Sequence, residues 1–265
     1  MKKLENISRQ AEKIIREAGD LVRNLCHPKV YSKEGHANFV TEADLASQRF
    51  LLDHLAPLLP QAHFFAEEQK ENHLHAGFNW IIDPIDGTTN FMRGYRPCAI
   101  SVGLVENGVA VMGLVYDIWS KELFSAVQGC GASCEGERIH ATQVPFENSL
   151  IVFGTSPYYR ERAAATFEAI KEIFLQCGDV RRSGSAAIDL CNVAAGRCDG
   201  FFESRLSPWD YCAASVILKE AGALVGGLAG QSLHYHMPMP VVAGNHEVFE
   251  KLQQIVGKYF AEVEK

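Results

Sequence analysis

A chain of 265 residues, 47% of them hydrophobic, is long enough for one large domain or two closely packed lobes with a substantial core, and this excludes a disordered polypeptide. Its net charge of −7, with no long run of Lys or Arg to offset it, argues against nonspecific binding to nucleic acid or to an anionic membrane. No stretch approaches the ~18 uninterrupted apolar residues of a membrane span, and the start MKKLENISRQ lacks an apolar secretion core, so a soluble, cytoplasmic protein is expected.

Leu4, Ile7, Ala11, Ile14, Ala18, Leu21 and Leu25 recur at three- and four-residue spacing and predict an amphipathic helix over residues 4–25. Ser32 to Asn38 is polar and glycine-containing, and reads as a loop. Thr41-Glu42-Ala43-Asp44 fits a capping box ahead of a helix through Phe50, Leu51 and Leu55. His63 to Ala66 reads as a short strand, followed at once by Glu67 and Glu68. Such a pair of adjacent acids is commonly a solvated one.

Trp80, Ile81 and Ile82 read as a buried strand, and Pro84, which cannot donate to a ladder, is expected to turn the chain. Asp83 and Asp86 then stand at the strand's end. Gly87 permits close approach of the backbone to a ligand, and the following N–H groups, with the Thr88 and Thr89 hydroxyls, face an anion. Two acids beside such a cradle repel phosphate, whereas a hard cation such as Mg²⁺ takes carboxylate and phosphate oxygens together. The same stretch also fits a strand, an Asx turn and a helix start in which Asp86 is a cap.

Three period-two segments follow, Ala99 to Val105, Val109 to Tyr116 and Glu122 to Ala126, with hairpin chemistry at Asn107-Gly108, and they predict an antiparallel sheet. After residue 147 strands and helices alternate: strands at 150–154, near Val180, at 200–203 and at 241–244, with helices over 160–176, 185–195, 210–221 and after His246. This predicts a mainly parallel sheet. Asp210, at the start of one of these helices, is either a cap or a ligand. No linker separates lobes 1–147 and 148–265, so they are expected to pack tightly. No Ser or Cys nucleophile stands in an elbow motif, since Ser183-Gly184-Ser185 has the wrong order. Cys130 and Cys134 lack a second ligand pair at zinc spacing, the eight cysteines are expected to be reduced, and His73 and His75 are placed on a solvated loop.

WIIDPIDGTTNF, from Trp80 to Phe91, resembles the first signature of the inositol monophosphatase family of metal-dependent phosphatases, and PWDYCAASVILKEAGALV, from Pro208 to Val225, resembles the second. With Glu67-Glu68 and Thr41 to Asp44 in the right order, the resemblance covers nearly the whole chain. It implies an α+β fold, a layered α-β-α-β-α sandwich with an N-terminal antiparallel-sheet lobe and a C-terminal mainly parallel α/β lobe. The implied activity is Mg²⁺-dependent hydrolysis of inositol monophosphate to inositol and inorganic phosphate, by attack of metal-activated water, with two or three Mg²⁺ ions.

The resemblance also implies residue roles. Glu67, Asp83 and the Ile85 carbonyl would hold one ion, and Asp83, Asp86 and Asp210 a second. Asp44, Thr88 and Glu67 would serve catalysis, the first two by orienting the attacking water. Gly87 and Thr88 would donate to the phosphate, the turn Gly184-Ser185-Ala186 would lie beside substrate, Glu203 would bind polyol hydroxyls, and Asp86 and Asp210 would border the substrate as well as metal. The family is usually homodimeric. Ala66, Ala223 and Ser185 depart from the usual residues, as do Asp189 and the segment 204–207 on the alcohol side.

Alternatives are a phosphatase of 3′-phosphoadenosine nucleotides, which typically carries lysine where this chain has Thr89, and a fructose-bisphosphatase, for which Arg93, Arg96, Arg181, Arg182 and Arg205 would have to assemble. A catalytically silent interaction protein is the reading from another class. No direct nucleic-acid contact and no membrane are expected.

Overall fold

The amphipathic N-terminus forms α1 (Lys2–Asn24), whose buried face runs through Ile7, Ala11, Ile15, Ala18 and Val22. Ile15 and Val22 take the places expected of Ile14 and Leu21 because the helix docks on Gly19, where a Cβ would come within 2.2 Å of the Tyr116 ring. A computed structural model describes residues 2–25, 28–33 and 39–260. Most of the loop expected at 32–38 lies outside these residues. On either side of it are β1 (Val30–Ser32) and β2 (Phe39–Thr41), which pair antiparallel.

Thr41 then caps α2 (Glu42–Leu55): its side chain accepts from the Ala43 and Asp44 N–H groups, and Asp44 returns the bond by accepting the Thr41 N–H at 2.8 Å. The chain continues through β3 (His63–Ala66), β4 (Phe78–Asp86), α3 (Thr88–Arg93), β5 (Ala99–Glu106), β6 (Val109–Asp117), β7 (Leu123–Val127), β8 (Gly131–Cys134) and β9 (Glu137–Arg138). These seven strands form one sheet in sequence order, antiparallel apart from the parallel pair β3 and β4. The β5–β6 hairpin turns on Asn107 and Gly108, with φ of 50° and 84°, the left-handed pair that a two-residue turn between right-twisted strands requires.

Pro84 does not end β4. The strand runs on to Asp86, and the expected turn is instead a bulge: Asp83 pairs with Ser101 and Asp86 with Ala99, so β4 carries one residue more than β5 between them. The missing N–H of Pro84 is tolerated where the ladder is already interrupted. In a regular strand residues three apart face opposite sides, but Ala99 and Ser101 share a side, so the bulge brings Asp83 and Asp86 to one face.

The second half contains β10 (Leu150–Phe153), α4 (Ala163–Phe174), β11 (Asp179–Arg181), α5 (Ala186–Ala194), β12 (Gly200–Leu206), α6 (Pro208–Glu220), β13 (Leu224–Gly226), β14 (Met239–Gly244) and α7 (His246–Phe260). Its sheet has the order β11-β10-β12-β14-β13. Pairing is parallel across β11, β10 and β12 but antiparallel from β12 to β14 and β13, so the sheet is mixed. The parallel expectation holds for the βα-connected strands and stops where the loop after β13 reverses the chain into β14. β1, β2, β8, β9 and β13 escaped the sequence reading because strands of two to four residues carry too little alternation to register.

Three apolar clusters define the layers. Trp80, Ile82, Leu51 and the α1 stripe fill the space between α1, α2 and the first sheet. Phe124, Tyr211, Ala213 and Phe201 join the two sheets through α5 and α6, and Ile151, Phe202, Val256 and Phe260 seat α4 and α7 on the far side. The result is the expected α-β-α-β-α sandwich. α6 touches the first sheet through glycines: a Cβ at Gly103 would meet Cys212 Sγ at 2.6 Å and one at Gly113 would meet the Ala213 carbonyl oxygen at 2.0 Å. That close approach, with Ser101 Oγ donating to the Trp209 carbonyl at 3.0 Å, fixes the N-terminus of α6 over the end of β4.

Candidate active site

The first consequence of that docking is a carboxylate trio. Asp83, Asp86 and Asp210 place ligand oxygens within 4.8 Å of one another, two from the β4 bulge and one from the first turn of α6. Asp83 is buried and turns one oxygen to the Ile85 N–H at 3.0 Å. Asp210 accepts the Ser207 N–H at 2.7 Å and so caps its own helix. Burial holds the carboxyls of Asp83 and Asp210 well above the usual range, and repulsion from the acids around them raises them further. Asp86 is raised by burial, against the pull of hydrogen bonds from Ser185 Oγ at 2.6 Å and the Ala187 N–H at 2.7 Å. Ser185 lines the cleft and is the N-cap of α5, its hydroxyl accepting the Ile188 N–H at 3.4 Å while donating to Asp86, which also takes the Ala187 N–H of the first turn.

A buried cluster of like charges without a counter-cation is unfavourable unless protonated or bridged. The donor set is all oxygen and sits at one end of a cleft of about 610 Å³, so the residues present fit a hard divalent cation. Asp86 thus accepts a first-turn N–H of α5 while being part of the trio, and Asp210 caps α6 while being part of it; the two readings of Asp210 are compatible.

Glu67 follows β3, and its N–H continues the parallel pairing to the Ile82 carbonyl at 3.1 Å. Its carboxyl is raised to about 7, chiefly by burial and against the attraction of Lys33. Lys33 Nζ reaches Glu67 at 3.2 Å and Glu68 at 2.5 Å, so the adjacent acids share one cation that lies 34 residues earlier. No local signal announced it. Glu67 is thereby held by Lys33 next to the trio rather than within it.

Asp44 is fully buried at the start of α2, with one oxygen on the Thr41 N–H and hydroxyl and the other accepting from Thr88 Oγ1 at 3.2 Å. Burial raises it to about 6, against those hydrogen bonds. Thr88 Oγ1 also lies 3.1 Å from the Ile85 carbonyl. One proton cannot satisfy both acceptors at once, so the hydroxyl has two available orientations. Gly87 has φ 90° and lies against the Gly184 carbonyl, where a Cβ would come within 3.1 Å.

The cleft continues past Gly184, Ser185 and Ala186 to Asp189 and Glu203. Burial raises Asp189 to about 8 and Glu203 to about 7. Of the arginines weighed in the sequence, Arg182 and Arg205 line the cleft and Arg160 joins them; Arg181 pairs with Asp179, and Arg96 stacks over Trp119. Cys130 and Cys134 are free thiols, and among the described residues the acidic trio is the only cluster of three metal-binding side chains. His73 and His75 lie exposed on the loop before β4.

The inositol monophosphatase family matches residues 3–260 of this chain. A protein of Salmonella typhimurium named Nus factor SuhB is 36% identical over 250 residues, which is 91% of this chain and 92% of its own. The inositol-1-monophosphatase of Bacillus subtilis is 32% identical over 246 residues, 91% and 93% of the two chains. Among solved structures, a Thermotoga maritima IMPase superposes with a TM-score of 0.87 at 30% identity, covering 99% of this chain and all of that one.

Proposed function

The chain belongs to the inositol monophosphatase family, a family of metal-dependent phosphatases, and from that premise we propose that it hydrolyses inositol monophosphate to inositol and inorganic phosphate. The carrying observation is the buried trio of Asp83, Asp86 and Asp210, assembled from both halves of the molecule at the end of one cleft. Together with Glu67 and the Ile85 carbonyl these residues would hold two or three Mg²⁺ ions, which when bound neutralise phosphate charge and acidify the attacking water.

The chain's own residues supply the rest. When the Thr88 hydroxyl gives its proton to Asp44, its lone pairs face the cleft and accept from a water, which is thereby oriented without a histidine base. Asp44, at about 6, is ionised at neutral pH and keeps that orientation. The N–H groups of Gly87 and Thr88 bind phosphate oxygens, and this explains how an acidic protein takes an anionic substrate. Gly184, Ser185, Ala186 and Glu203 border the alcohol, and Asp86 and Asp210 border both metal and substrate. In this reading lobe 1–147 carries most metal ligands and lobe 148–265 brings Asp210 and the alcohol side.

The name of the Salmonella relative supports a second reading, a Nus-factor role with or without catalysis. No helix among the described residues is long and apolar enough to cross a membrane; cytoplasmic location and a homodimer complete the proposal. Phosphate release should be measured with Mg²⁺ on inositol 1-phosphate, fructose 1,6-bisphosphate and 3′-phosphoadenosine 5′-phosphate. Highest kcat/KM on inositol 1-phosphate, lost with a chelator and restored by Mg²⁺, is expected. Preference for either of the others overturns the substrate assignment, and no release from any of them leaves the interaction protein.

A further inference from the structure

The outer wall of the cleft is built by the chain leaving β10. Gly154 passes so close to β12 that a Cβ there would come within 1.8 Å of Glu203 Oε2. Ser156 follows with φ 43°, a left-handed conformation that a non-glycine residue adopts only when its surroundings impose it. Ser156 is buried, its N–H donates to Glu203 at 2.7 Å, and its hydroxyl accepts the Arg205 N–H at 3.0 Å while lying within reach of Ser204 Oγ and the Arg205 carbonyl. The loop is thus clamped to β12, and Pro157, Tyr158 and Tyr159 are carried along the cleft.

Tyr159 meets Arg205 there. The Arg205 guanidinium carbon lies over the Tyr159 ring, 4.8 Å from its centroid, a cation–π contact. Arg205 Nε is buried with no hydrogen-bond partner, and among the described residues no carboxylate lies within ion-pair distance of its side chain. Two other cleft cations differ. Lys33 is engaged by Glu67 and Glu68, and Arg182 faces the field of Asp86, Asp189 and Glu203. Arg205 is thus a cation whose donors no acid among the described residues satisfies, in the cleft proposed to take a phosphate ester.

Resting on the phosphatase reading above, we propose that Arg205, lying over the Tyr159 ring, lets the cleft also accept phosphate esters other than inositol monophosphate, those whose alcohol part carries a second anionic group, a phosphate or a carboxylate, which its guanidinium recognises. A planar guanidinium binds either group through paired N–H donors, and burial of Nε strengthens each bond formed. Specificity at this end of the cleft is therefore for charge, beside the hydroxyl recognition expected of Glu203.

The test compares kcat/KM with Mg²⁺ on two matched pairs: glycerol 2-phosphate against 2-phosphoglycerate, and fructose 1-phosphate against fructose 1,6-bisphosphate. Arg205→Ala should lower the charged-to-neutral ratio of at least one pair about tenfold or more, through KM, with Arg205→Lys retaining part of it. Tyr159→Ala should lower the same ratio and Tyr159→Phe preserve it. The pair that responds identifies carboxylate or phosphate. An unchanged ratio in both pairs overturns the inference, as does an equal loss on the charged and neutral members, which marks a merely structural arginine. Release with Mg²⁺ from inositol 1-phosphate but from none of these four overturns this inference alone, whereas no release from any of the five means that the phosphatase reading itself fails.

Discussion

Two helices enter the site by the same local device and leave different chemistry there. At α2, Asp44 caps its helix by accepting the Thr41 N–H; at α6, Asp210 caps its helix by accepting the Ser207 N–H. Each stands three residues after the N-cap of a capping box. Asp44 then meets a hydroxyl, Thr88, whereas Asp210 meets Asp83 and Asp86. The capping box sets where the carboxylate points, and what stands across from it is a hydroxyl in one case and two further carboxylates in the other. A third helix, α5, lacks an acid at the equivalent position; Ser185 is its N-cap, and Asp86 from the end of β4 accepts the Ala187 N–H of its first turn.

The largest effect should separate the two acids. Asp210→Asn should lower kcat/KM by about 10³-fold or more, since ligand loss would remove several kcal/mol of charge stabilisation, and should reduce the heat of Mg²⁺ binding in calorimetry by the share of one ion. Asp44→Asn should leave that heat in place. Equal retention of Mg²⁺ by both variants would erase the distinction.

The next effect tests Asp44 as an orienting group. Thr88→Ala and Asp44→Asn should each lower kcat by about 10² to 10⁴-fold, and the double variant should lose little beyond either one, because the pair acts as a unit. Additive losses, or an unchanged kcat for Asp44→Asn, would leave Asp44 as a cap alone.

Smaller again is the cap itself. Thr41→Ala should destabilise the protein by about 1 kcal/mol in urea melts. Its kcat should fall less than that of Asp44→Asn, because the backbone N–H of residue 41 still holds Asp44. A kcat loss as large as that of Asp44→Asn would make the hydroxyl, not the carboxylate, the orienting partner.

The smallest effect concerns Asp189 in the first turns of α5. Its folded value, about 8, lies above its ordinary 3.8 because of burial, so between these values the folded chain holds more protons than the unfolded one. Stability contributed by this group is full below the lower value and is lost as pH rises through the upper one. Asp189→Asn should flatten that fall in metal-free protein, seen as a smaller drop in Tm between about pH 5 and about pH 8.5. An unchanged slope would show that Asp189 does not titrate there.

Local pattern made much of this molecule legible. The α1 periodicity, the Thr41 capping box, the Asn107-Gly108 hairpin and the alternation after residue 147 each rest on contacts within a few residues, and each appears in the structure. The acids of DPID and PWD announced themselves as turn and cap residues, with resemblance adding the metal. Lys33 did not announce itself, because its partners lie 34 and 35 residues on. Nor did Ser156, whose strained backbone is explained only by β12.

What the sequence by itself determined, then, is the main helices and the longer strands and the chemical character of the acids, since helix spacing, strand alternation and capping are short-range physics. Tertiary structure alone decided their company. The β4 bulge turned Asp83 and Asp86 to one face, and the glycines at 103 and 113 let α6 approach until Asp210 joined them. The clamp at Ser156 brought Tyr159 beneath Arg205. Each of these depends on close contact between segments far apart in the chain, which no local pattern encodes.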